Sequence, residues 1–222
     1  MTPKKSLKNV KPAGTDNSLI MTDSNKRTIS AYEEHIAEYI NGTPNEVTGD
    51  VKKWIDKTLI GLNPSSKILE IGSAFGRDAS YIESKGYVVQ RTDATLGFVE
   101  YLQKLGFNSQ KLNILEDDTE ETYDLIFADA VLLHFTKSET AIVLDKVFKA
   151  LNSTGKFSFS LKQGEGDEWS DAKLNAPRYF CYWNQADITK LLLSKGFNNI
   201  QCEDAGIGRN NSKWLHIIAT KQ

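Results

Sequence analysis

Cysteine is scarce in the sequence. Only Cys181 and Cys202 occur among 222 residues, far apart and without a Cys-x-x-Cys pair. A disulfide framework or a zinc site needs more ligands at closer spacing, so the sequence predicts neither a disulfide-stabilised fold nor a bound metal. Two unpaired thiols are typical of a reducing compartment, which predicts a cytoplasmic location.

The chain also lacks an excess of positive charge and any long hydrophobic run. Lys and Arg total 27 against 29 Asp and Glu, which gives a formal net charge of −2. Proteins that bind nucleic acid usually carry a net basic balance or a basic stripe, so no nucleic-acid partner is expected. A membrane-spanning helix needs about 18–20 apolar residues in a row, and no such run occurs. The lysine-bearing N-terminus has no apolar run behind it, so no signal peptide and no membrane partner are expected.

What is present is a globular composition, 40% hydrophobic and 25% charged, at a length that suits one α/β domain. Residues 1–26 are rich in lysine and poor in core-forming residues, which predicts a flexible tail. Residues 27–222 are predicted to form a single domain. A capping-box pattern at Ser30–Glu33 predicts the start of the first helix, and residues 27–62 are predicted to be helices that cap the domain.

From Lys67 onward, strand patterns alternate with helix patterns. Strands are predicted at 67–71, 87–92, 108–112, 124–128, 157–161, 199–203 and 214–220. Strands separated by helices of about 10–15 residues indicate a parallel sheet covered on both faces. The prediction is an α/β fold with a Rossmann-like doubly wound sheet of seven strands. The sheet is expected to be mostly parallel, with an antiparallel strand near the C-terminus and helices at the N-terminus.

The segment most informative about function is Glu70–Asp78, which follows the first predicted strand and opens a helix. In a doubly wound sheet, ligands bind beyond the carboxyl ends of the strands. Gly72 permits a sharp turn and close approach of a ligand, and Gly76 opens a helix whose N–H groups favour an anion. Asp93 follows about 20 residues later, where an acidic residue binds the hydroxyls of a ribose. The motif therefore predicts a nucleoside-containing cofactor.

Two cofactor families share this plan. The nicotinamide fingerprint Gly-x-Gly-x-x-Gly is not met, because Ala74 stands at the second glycine and would obstruct a pyrophosphate. The acid-x-Gly-x-x-x-Gly form instead resembles motif I of class I S-adenosylmethionine-dependent methyltransferases, and the resemblance covers residues 30–220. Tyr123–Phe135 is similar to the fourth-strand motif of the branch that acts on small molecules. Lys162–Gly166 and Arg178–Phe180 resemble the K-x-G-E-G and R-Y/F-F segments of a bacterial subgroup.

The resemblance implies S-adenosylmethionine as the cofactor. The cofactor-binding residues that it implies are Glu70, Gly72, Ser73, Gly76, Asp78, Asp93, Ala94, Asn113, Ile114 and Asp129. Asp93 would bind the ribose, while Asn113 and Ile114 would flank the adenine. An alternative interpretation stands for Asp78 as a first-turn acid that satisfies the helix dipole, and for Asp129 as a helix or turn cap.

His134 follows the fourth predicted strand and is the candidate catalytic residue. A histidine there could position the methyl acceptor or take its proton. The alternative is a structural histidine that covers the cofactor. Tyr32 and Tyr39 are candidates for the opposite wall of the site, although packing alone would explain them equally well. The segment 163–180 is predicted to be a flexible loop that closes over the acceptor.

The predicted function is S-adenosylmethionine-dependent methyl transfer to an O, N or S atom of a small molecule. Alignment and exclusion of water can supply most of the acceleration, because the cofactor's sulfonium is already activated. Lys162, Arg178 and Tyr179 are candidates to engage an anionic acceptor. Two alternatives stay open: a non-catalytic cofactor-binding or regulatory module on the same fold, and a methyltransferase that acts on a protein. A DNA amino-methyltransferase is not expected, because Asp129 is not followed by the Pro-Pro-aromatic motif.

Overall fold

The computed structural model describes residues 23–119, 121–207 and 212–222. The helices are α1 (Asp23–Glu34), α2 (Ile36–Asn41), α3 (Gly49–Leu59), α4 (Arg77–Glu83), α5 (Leu96–Lys104), α6 (Lys137–Ala150) and α7 (Gln185–Ser194), with a 3-10 turn at Leu132–His134. The strands are β1 (Lys67–Ile71), β2 (Val88–Asp93), β3 (Ser109–Lys111), β4 (Tyr123–Ala128), β5 (Leu151–Lys162), β6 (Asp167–Ser170), β7 (Arg178–Cys181), β8 (Phe197–Ile207) and β9 (Lys213–Lys221).

Seven of these strands form one sheet in the order β3-β2-β1-β4-β5-β9-β8. Strands β1 to β5 are parallel, whereas β9 runs antiparallel to both β5 and β8. This arrangement confirms the predicted Rossmann-like α/β fold and its antiparallel strand near the C-terminus. The strand order reverses between β1 and β4: β2 and β3 lie on one side of β1, and β4 and β5 lie on the other. Ligands bind at the carboxyl ends of the strands at such a switch point.

The sheet is buried on both faces. On one face, α3 and α4 pack against β1, β2 and β4, with the rings of Trp54 and Phe127 4.7 Å apart. On the other, α6 and α7 pack against β4, β5 and β9, where Phe157 and Phe159 stack at 4.5 Å. These two apolar layers hold the ends of β1 and β4 rigidly in place.

The N-terminal helices begin earlier than the sequence predicts. Residues 23–26, assigned to the tail, are helical, and Ser30 lies inside α1 instead of at its cap. Asn25 accepts a hydrogen bond from the Asn113 amide at 2.9 Å, and the Thr28 hydroxyl accepts one from the Tyr179 N–H at 3.1 Å. Contacts with distant segments therefore determine where this helix forms. The rest of the predicted tail, residues 1–22, lies outside the described residues.

The prediction of a flexible loop over residues 163–180 was wrong for residues 167–170 and 178–180, which are strand, whereas the residues between these strands form turns. Strand β6 pairs antiparallel with β7, with Glu168 opposite Phe180, and all four side chains of β7 are buried. The strand packs between α1 and the 3-10 turn after β4. Burial of β7 between these elements orders a segment whose glycine-rich, acidic composition indicates a loop.

The helices in the described ranges are short. The longest of them, α6, has 14 residues, and none is long and apolar enough to cross a membrane. Groups of three or more His, Cys, Asp or Glu side chains able to hold a metal ion are likewise not found in these ranges.

Candidate active site

The turn after β1 passes very close to the segment that follows β4. Gly72 has a φ of +74°, and a Cβ there would lie 2.4 Å from Cγ2 of Val131. Gly76, with a φ of +85°, caps α4, and a Cβ there would lie 2.8 Å from Cδ2 of Leu102. Both positions therefore require glycine. Ala74 adopts a positive φ of 47° between them, a conformation that is uncommon for residues with a Cβ.

Ser73 ties this turn to the neighbouring strand. Its N–H donates to the carbonyl of Thr92 at 2.8 Å, and its hydroxyl accepts from the N–H of Thr92 at 3.2 Å. Both residues are buried. The turn is thus fixed to β2, and its position relative to the end of that strand is set by these two bonds.

Asp93 ends β2 with both carboxylate oxygens directed to backbone donors. Oδ2 accepts from the N–H of Ala74 at 2.9 Å, and Oδ1 accepts from the N–H of Thr95 at 2.8 Å. The residue is 7% exposed, and burial raises the pKa of its carboxyl to about 6 although both bonds favour the ionised form. Each oxygen keeps a second lone pair, so the carboxylate can still accept from two hydroxyls.

A second group of acids surrounds one arginine at the ends of β1 and β4. Arg77 donates to Asp78 Oδ1 at 2.7 Å and to Asp129 Oδ2 at 3.0 Å, while Asp129 Oδ1 accepts from the Ser160 hydroxyl at 2.5 Å. Glu70 is 3% exposed, and its Oε2 has no partner among the described residues. Burial, with Asp78 nearby, raises the pKa of Glu70 to about 8, and burial raises that of Asp78 to about 6. A cation bound here would relieve this excess of acidic groups.

A cavity of about 100 Å³ lies beside the turn, beneath α1 and α2. Its lining includes seven predicted site residues, Gly72, Asp93, Ala94, Asn113, Ile114, Asp129 and His134, and the helical residues Asn25, Thr28, Ile29, Tyr32 and Tyr39. Four other predicted residues, Glu70, Ser73, Gly76 and Asp78, are buried outside this lining.

Sequence reasoning missed several residues of the lining. Thr95 and Phe98 line the cavity from the start of α5, and their closeness to Asp93 in the chain was a signal that could have found them. Asn25 and Thr28 carry no comparable signal, because they reach the cavity only through the docking of α1. The side-chain amide of Asn113 anchors that helix by donating to Asn25. The side-chain oxygen Oδ1 of Asn113 accepts a long hydrogen bond of 3.3 Å from the N–H of Leu115.

Aromatic side chains form the wall opposite the strand ends. Tyr39 lies edge-on to Tyr32 and to Phe98, each with ring centroids 5.4 Å apart. Burial raises the pKa of both tyrosines, so both hydroxyls stay protonated at neutral pH. Lys173, 3.7 Å from the ring centroid of Tyr39, covers this cluster from outside. These rings form an apolar wall on one side of the cavity.

Both nitrogens of the His134 ring are engaged. Nδ1 lies 2.6 Å from the carbonyl oxygen of Tyr179, which only accepts, so the ring proton is on Nδ1. Nε2 then accepts from the Tyr32 hydroxyl at 2.9 Å. Burial lowers the pKa of His134 to about 3, with Arg178 and Lys162 adding to the shift. The imidazole is thus neutral, and its Nε2 lone pair is occupied by the Tyr32 hydroxyl.

Solved structures with a similar fold are numerous. The 1,6-didemethyltoxoflavin-N1-methyltransferase of Burkholderia thailandensis, with bound 1,6-didemethyltoxoflavin and S-adenosylhomocysteine, is 17% identical with a TM-score of 0.66, covering 87% of this chain and 85% of that chain. Magnesium protoporphyrin IX methyltransferase of Synechocystis PCC 6803, with bound S-adenosylmethionine, is 14% identical with a TM-score of 0.60, covering 91% and 85%. The chain has the fold of class I S-adenosylmethionine-dependent methyltransferases.

A structure of an S-adenosylmethionine-dependent methyltransferase from Methanosarcina mazei shows the same likeness. It is 15% identical with a TM-score of 0.63, covering 79% of this chain and 98% of that chain. No protein-family model and no curated protein matches the sequence. The methyltransferase fold is therefore established by structure, at identities too low for sequence comparison to show it.

Proposed function

We propose that this protein is an enzyme that transfers the methyl group of S-adenosylmethionine to a small-molecule acceptor. The observation that carries the proposal is the cavity that has Asp93 at one side and Asp129 with the Tyr32–His134 pair at the other. One cavity therefore combines a carboxylate that could bind a ribose with an aromatic wall that could contact the methyl acceptor. The fold shared with methyltransferases that were solved with this cofactor supports the same function.

The residues present fit this cofactor. A Cβ at Gly72 would fill the space against Val131, so the turn gives a cofactor a backbone surface without a side chain. The unpartnered Glu70 Oε2 and the acids around Arg77 favour an ammonium group next to Asp129. In this proposal Asp129 binds that ammonium directly. The four predicted residues outside the cavity lining fix the position and the charge of the turn after β1; they are Glu70, Ser73, Gly76 and Asp78.

The nucleoside part would lie between β2 and β3. Asp93 would accept from the two ribose hydroxyls, and Ala94 and Ile114 would form apolar walls for the adenine. Asn113 would hold α1 over that ring through its bond to Asn25. Helices α1 and α2 form the cap of the proposed domain, whereas α3 packs against the sheet through Trp54.

When bound, the cofactor supplies a methyl group on a positively charged sulfur. The chain's own contribution is alignment and the exclusion of water by the aromatic wall, which together can supply up to about 7–11 kcal/mol. His134 is a weak base here, because burial holds its pKa near 3. We therefore assign it the role of positioning the Tyr32 hydroxyl, and the hydroxyl is the group that contacts the acceptor.

We expect His134 to remain neutral, as the Nδ1–H tautomer, down to about pH 5. The expectation follows from its burial, from the Tyr179 carbonyl at Nδ1 and from the Tyr32 hydroxyl at Nε2. Nitrogen chemical shifts of the histidine rings, measured by NMR across a pH titration, report tautomer and charge directly. Tyr32→Phe removes the donor to Nε2 and should shift that nitrogen while leaving Nδ1 protonated. Protonation of His134 near its ordinary pKa of about 6.5 would contradict this role.

Cofactor affinity should fall as the pH falls through 6. The Asp93 carboxyl accepts hydrogen bonds best when ionised, and its pKa in the free protein is about 6. Such a group is ionised to about a quarter at pH 5.5 and almost fully at pH 7.5, so the affinity for S-adenosylhomocysteine should be about fourfold weaker at the lower pH. Calorimetric titrations at both values measure this. Asp93→Asn is the control and should make the dependence shallower, the remainder coming from Asp78, whose pKa is also about 6; a wild-type affinity that does not change with pH would contradict the assignment.

Labelled methyl transfer tests the reaction itself. The protein is incubated with S-adenosylmethionine carrying a radioactive methyl group and with a cell extract separated by ultrafiltration into small molecules and macromolecules. The proposal expects label in the small-molecule fraction, and none with the Asp93→Ala variant. Label in proteins alone would favour a protein acceptor. Binding of the cofactor without any transfer would favour a non-catalytic or regulatory module on the same fold.

The cytoplasm is the location that we propose, because Cys181 and Cys202 are both unpaired, as expected in a reducing compartment. The partner that we propose is the small-molecule acceptor, without nucleic acid or membrane. The likeness to a methyltransferase that was solved with the small molecule 1,6-didemethyltoxoflavin bound supports this choice.

A further inference from the structure

Arg178 is a buried cation without a carboxylate partner in the part of the chain that the structure describes. It is 4% exposed, and its Nε has no hydrogen-bond partner among the described residues. Its one hydrogen bond in these ranges goes from Nη1 to the Tyr32 hydroxyl, at a long 3.3 Å. The other arginines of the described ranges pair with carboxylates: Arg27 with Asp23, Arg77 with Asp78 and Asp129, and Arg91 with Glu83. Burying an unpaired charge costs free energy, so an anion bound to the guanidinium would stabilise this arrangement.

Lys162 is a second cation beside it. Its Nζ lies 3.9 Å from the ring centroid of Phe180, and the Arg178 guanidinium lies 5.2 Å from the same centroid. Half-burial lowers the pKa of Lys162, and the charge of Arg178 lowers it further. Within the described residues no carboxylate forms an ion pair with it; the nearby Glu168 instead accepts from the Tyr182 hydroxyl at 2.5 Å. Two neighbouring cations therefore share one aromatic ring, and neither forms an ion pair with a carboxylate of the described residues; Glu168 acts on Lys162 only through its charge.

These cations adjoin the acceptor side of the cavity. The Tyr32 hydroxyl links Arg178 to His134, and the His134 and Phe180 rings lie 4.8 Å apart. Tyr32 and His134 both line the cavity. The acids Asp93 and Asp129 line it too, but they belong to the part that we assign to the cofactor. The acidic side chains therefore lie at the part of the cavity assigned to the cofactor, and the two cations lie next to the part assigned to the acceptor.

We propose that the methyl acceptor carries a carboxylate or phosphate group that binds Arg178 and Lys162. The guanidinium fork of arginine binds either group in a bidentate manner, and lysine adds a point charge. The long bond from Tyr32 is a weak, neutral substitute that such an anion replaces. The atom to be methylated then lies in the cavity beside Tyr32 and His134. This inference rests on the proposed function, since it names the acceptor class of the same site.

Calorimetric titration of the protein saturated with S-adenosylhomocysteine tests the proposal with simple probes. Inorganic phosphate, acetate and tetramethylammonium are added separately at constant ionic strength. At least one anion should bind and tetramethylammonium should not, and the preferred anion identifies the group as phosphate or carboxylate. Arg178→Gln and Lys162→Gln should each weaken anion binding by about tenfold or more. Arg178→Lys, which keeps the charge and loses the fork, should fall between wild type and Arg178→Gln.

Lys149→Gln is the matched control, because it removes one exposed lysine of α6 and should leave anion binding unchanged. Lys162 is only half-buried, so its variant keeps the test valid if Arg178→Gln does not fold. Absence of anion binding to the wild type, or equal affinity in wild type, Arg178→Gln and Lys162→Gln, would overturn the inference. Titration with S-adenosylhomocysteine alone separates the two proposals: if it does not bind, the proposed function fails, and the anion titrations on the free protein then decide only whether Arg178 and Lys162 form an anion site.

Discussion

Asp93→Ala is expected to weaken the binding of S-adenosylhomocysteine by about 10²–10⁴-fold. In the proposed complex the carboxylate accepts hydrogen bonds from two ribose hydroxyls, and hydrogen bonds to a charged group are worth about 1.5–3 kcal/mol each. The same carboxylate holds the N–H groups of Ala74 and Thr95, so its loss also loosens the turn after β1. Isothermal titration calorimetry measures the change directly.

The control for this variant is Asp118→Ala, which removes a carboxyl group at an exposed surface position. It should bind S-adenosylhomocysteine like the wild type. Thermal melting and circular dichroism establish that Asp93→Ala is folded. A folded Asp93→Ala protein with wild-type affinity would mean that the ribose is bound elsewhere.

Gly72→Ala is expected to destabilise the protein by about 2–5 kcal/mol and to weaken cofactor binding. A left-handed backbone costs about 1–2 kcal/mol for a residue with a Cβ, and Gly72 has a φ of +74°. The new Cβ would also lie 2.4 Å from Val131 Cγ2, an overlap that must be relieved by moving the turn or the segment after β4, at a further cost of about 1–3 kcal/mol. Both segments line the cavity, so the shift reaches the cofactor.

Two matched variants separate these costs. Gly106→Ala introduces the same strain at a φ of +88°, with no atom within 4 Å of the new Cβ, and should show the backbone cost alone. The double variant Gly72→Ala/Val131→Ala removes the overlap and should recover part of the lost affinity. Chemical denaturation gives the free energies of unfolding. Equal destabilisation by Gly72→Ala and Gly106→Ala, with cofactor binding intact, would refute the claim that close approach at Gly72 shapes the site.

The fold was predictable because its signals are local and repeated. The β1 strand, the turn with Gly72 and Gly76, and Asp93 at the end of β2 lie within one short stretch of chain. Their geometry is set mainly by backbone preferences and by the carboxyl-end rule for parallel strands. The local strand pattern also predicted β4, and with it the positions of Asp129 and His134 after that strand.

The cap and the acceptor side were not predictable in the same way. Residues 23–26 are helical because Asn25 and Thr28 bond to Asn113 and Tyr179, far away in the chain. Strand β7 is buried along its whole length and shows no alternation of polar and apolar residues that would mark a strand. Its partner β6 is mostly exposed and lies in a segment with a loop-like composition. Long-range contacts of this kind leave no pattern in the local sequence.

The role of His134 illustrates the same limit. The sequence placed it correctly after β4 but left its role open between catalysis and structure. Its environment is set by Tyr32, 102 positions earlier, and by the backbone of Tyr179, 45 positions later. These contacts make the ring neutral and direct its lone pair to a hydroxyl, which favours a positioning role over that of a strong base.

Calorimetric titration of the purified wild-type protein with S-adenosylmethionine, and in parallel with NAD, is the most direct test of the central claim. The cavity between Asp93, Asp129 and the aromatic cap predicts that S-adenosylmethionine binds one to one, that S-adenosylhomocysteine competes for the same site, and that NAD does not bind, because Ala74 stands where a pyrophosphate would need glycine. A bound ligand also raises the melting temperature, which gives an independent readout. Binding of NAD without binding of S-adenosylmethionine would contradict the account.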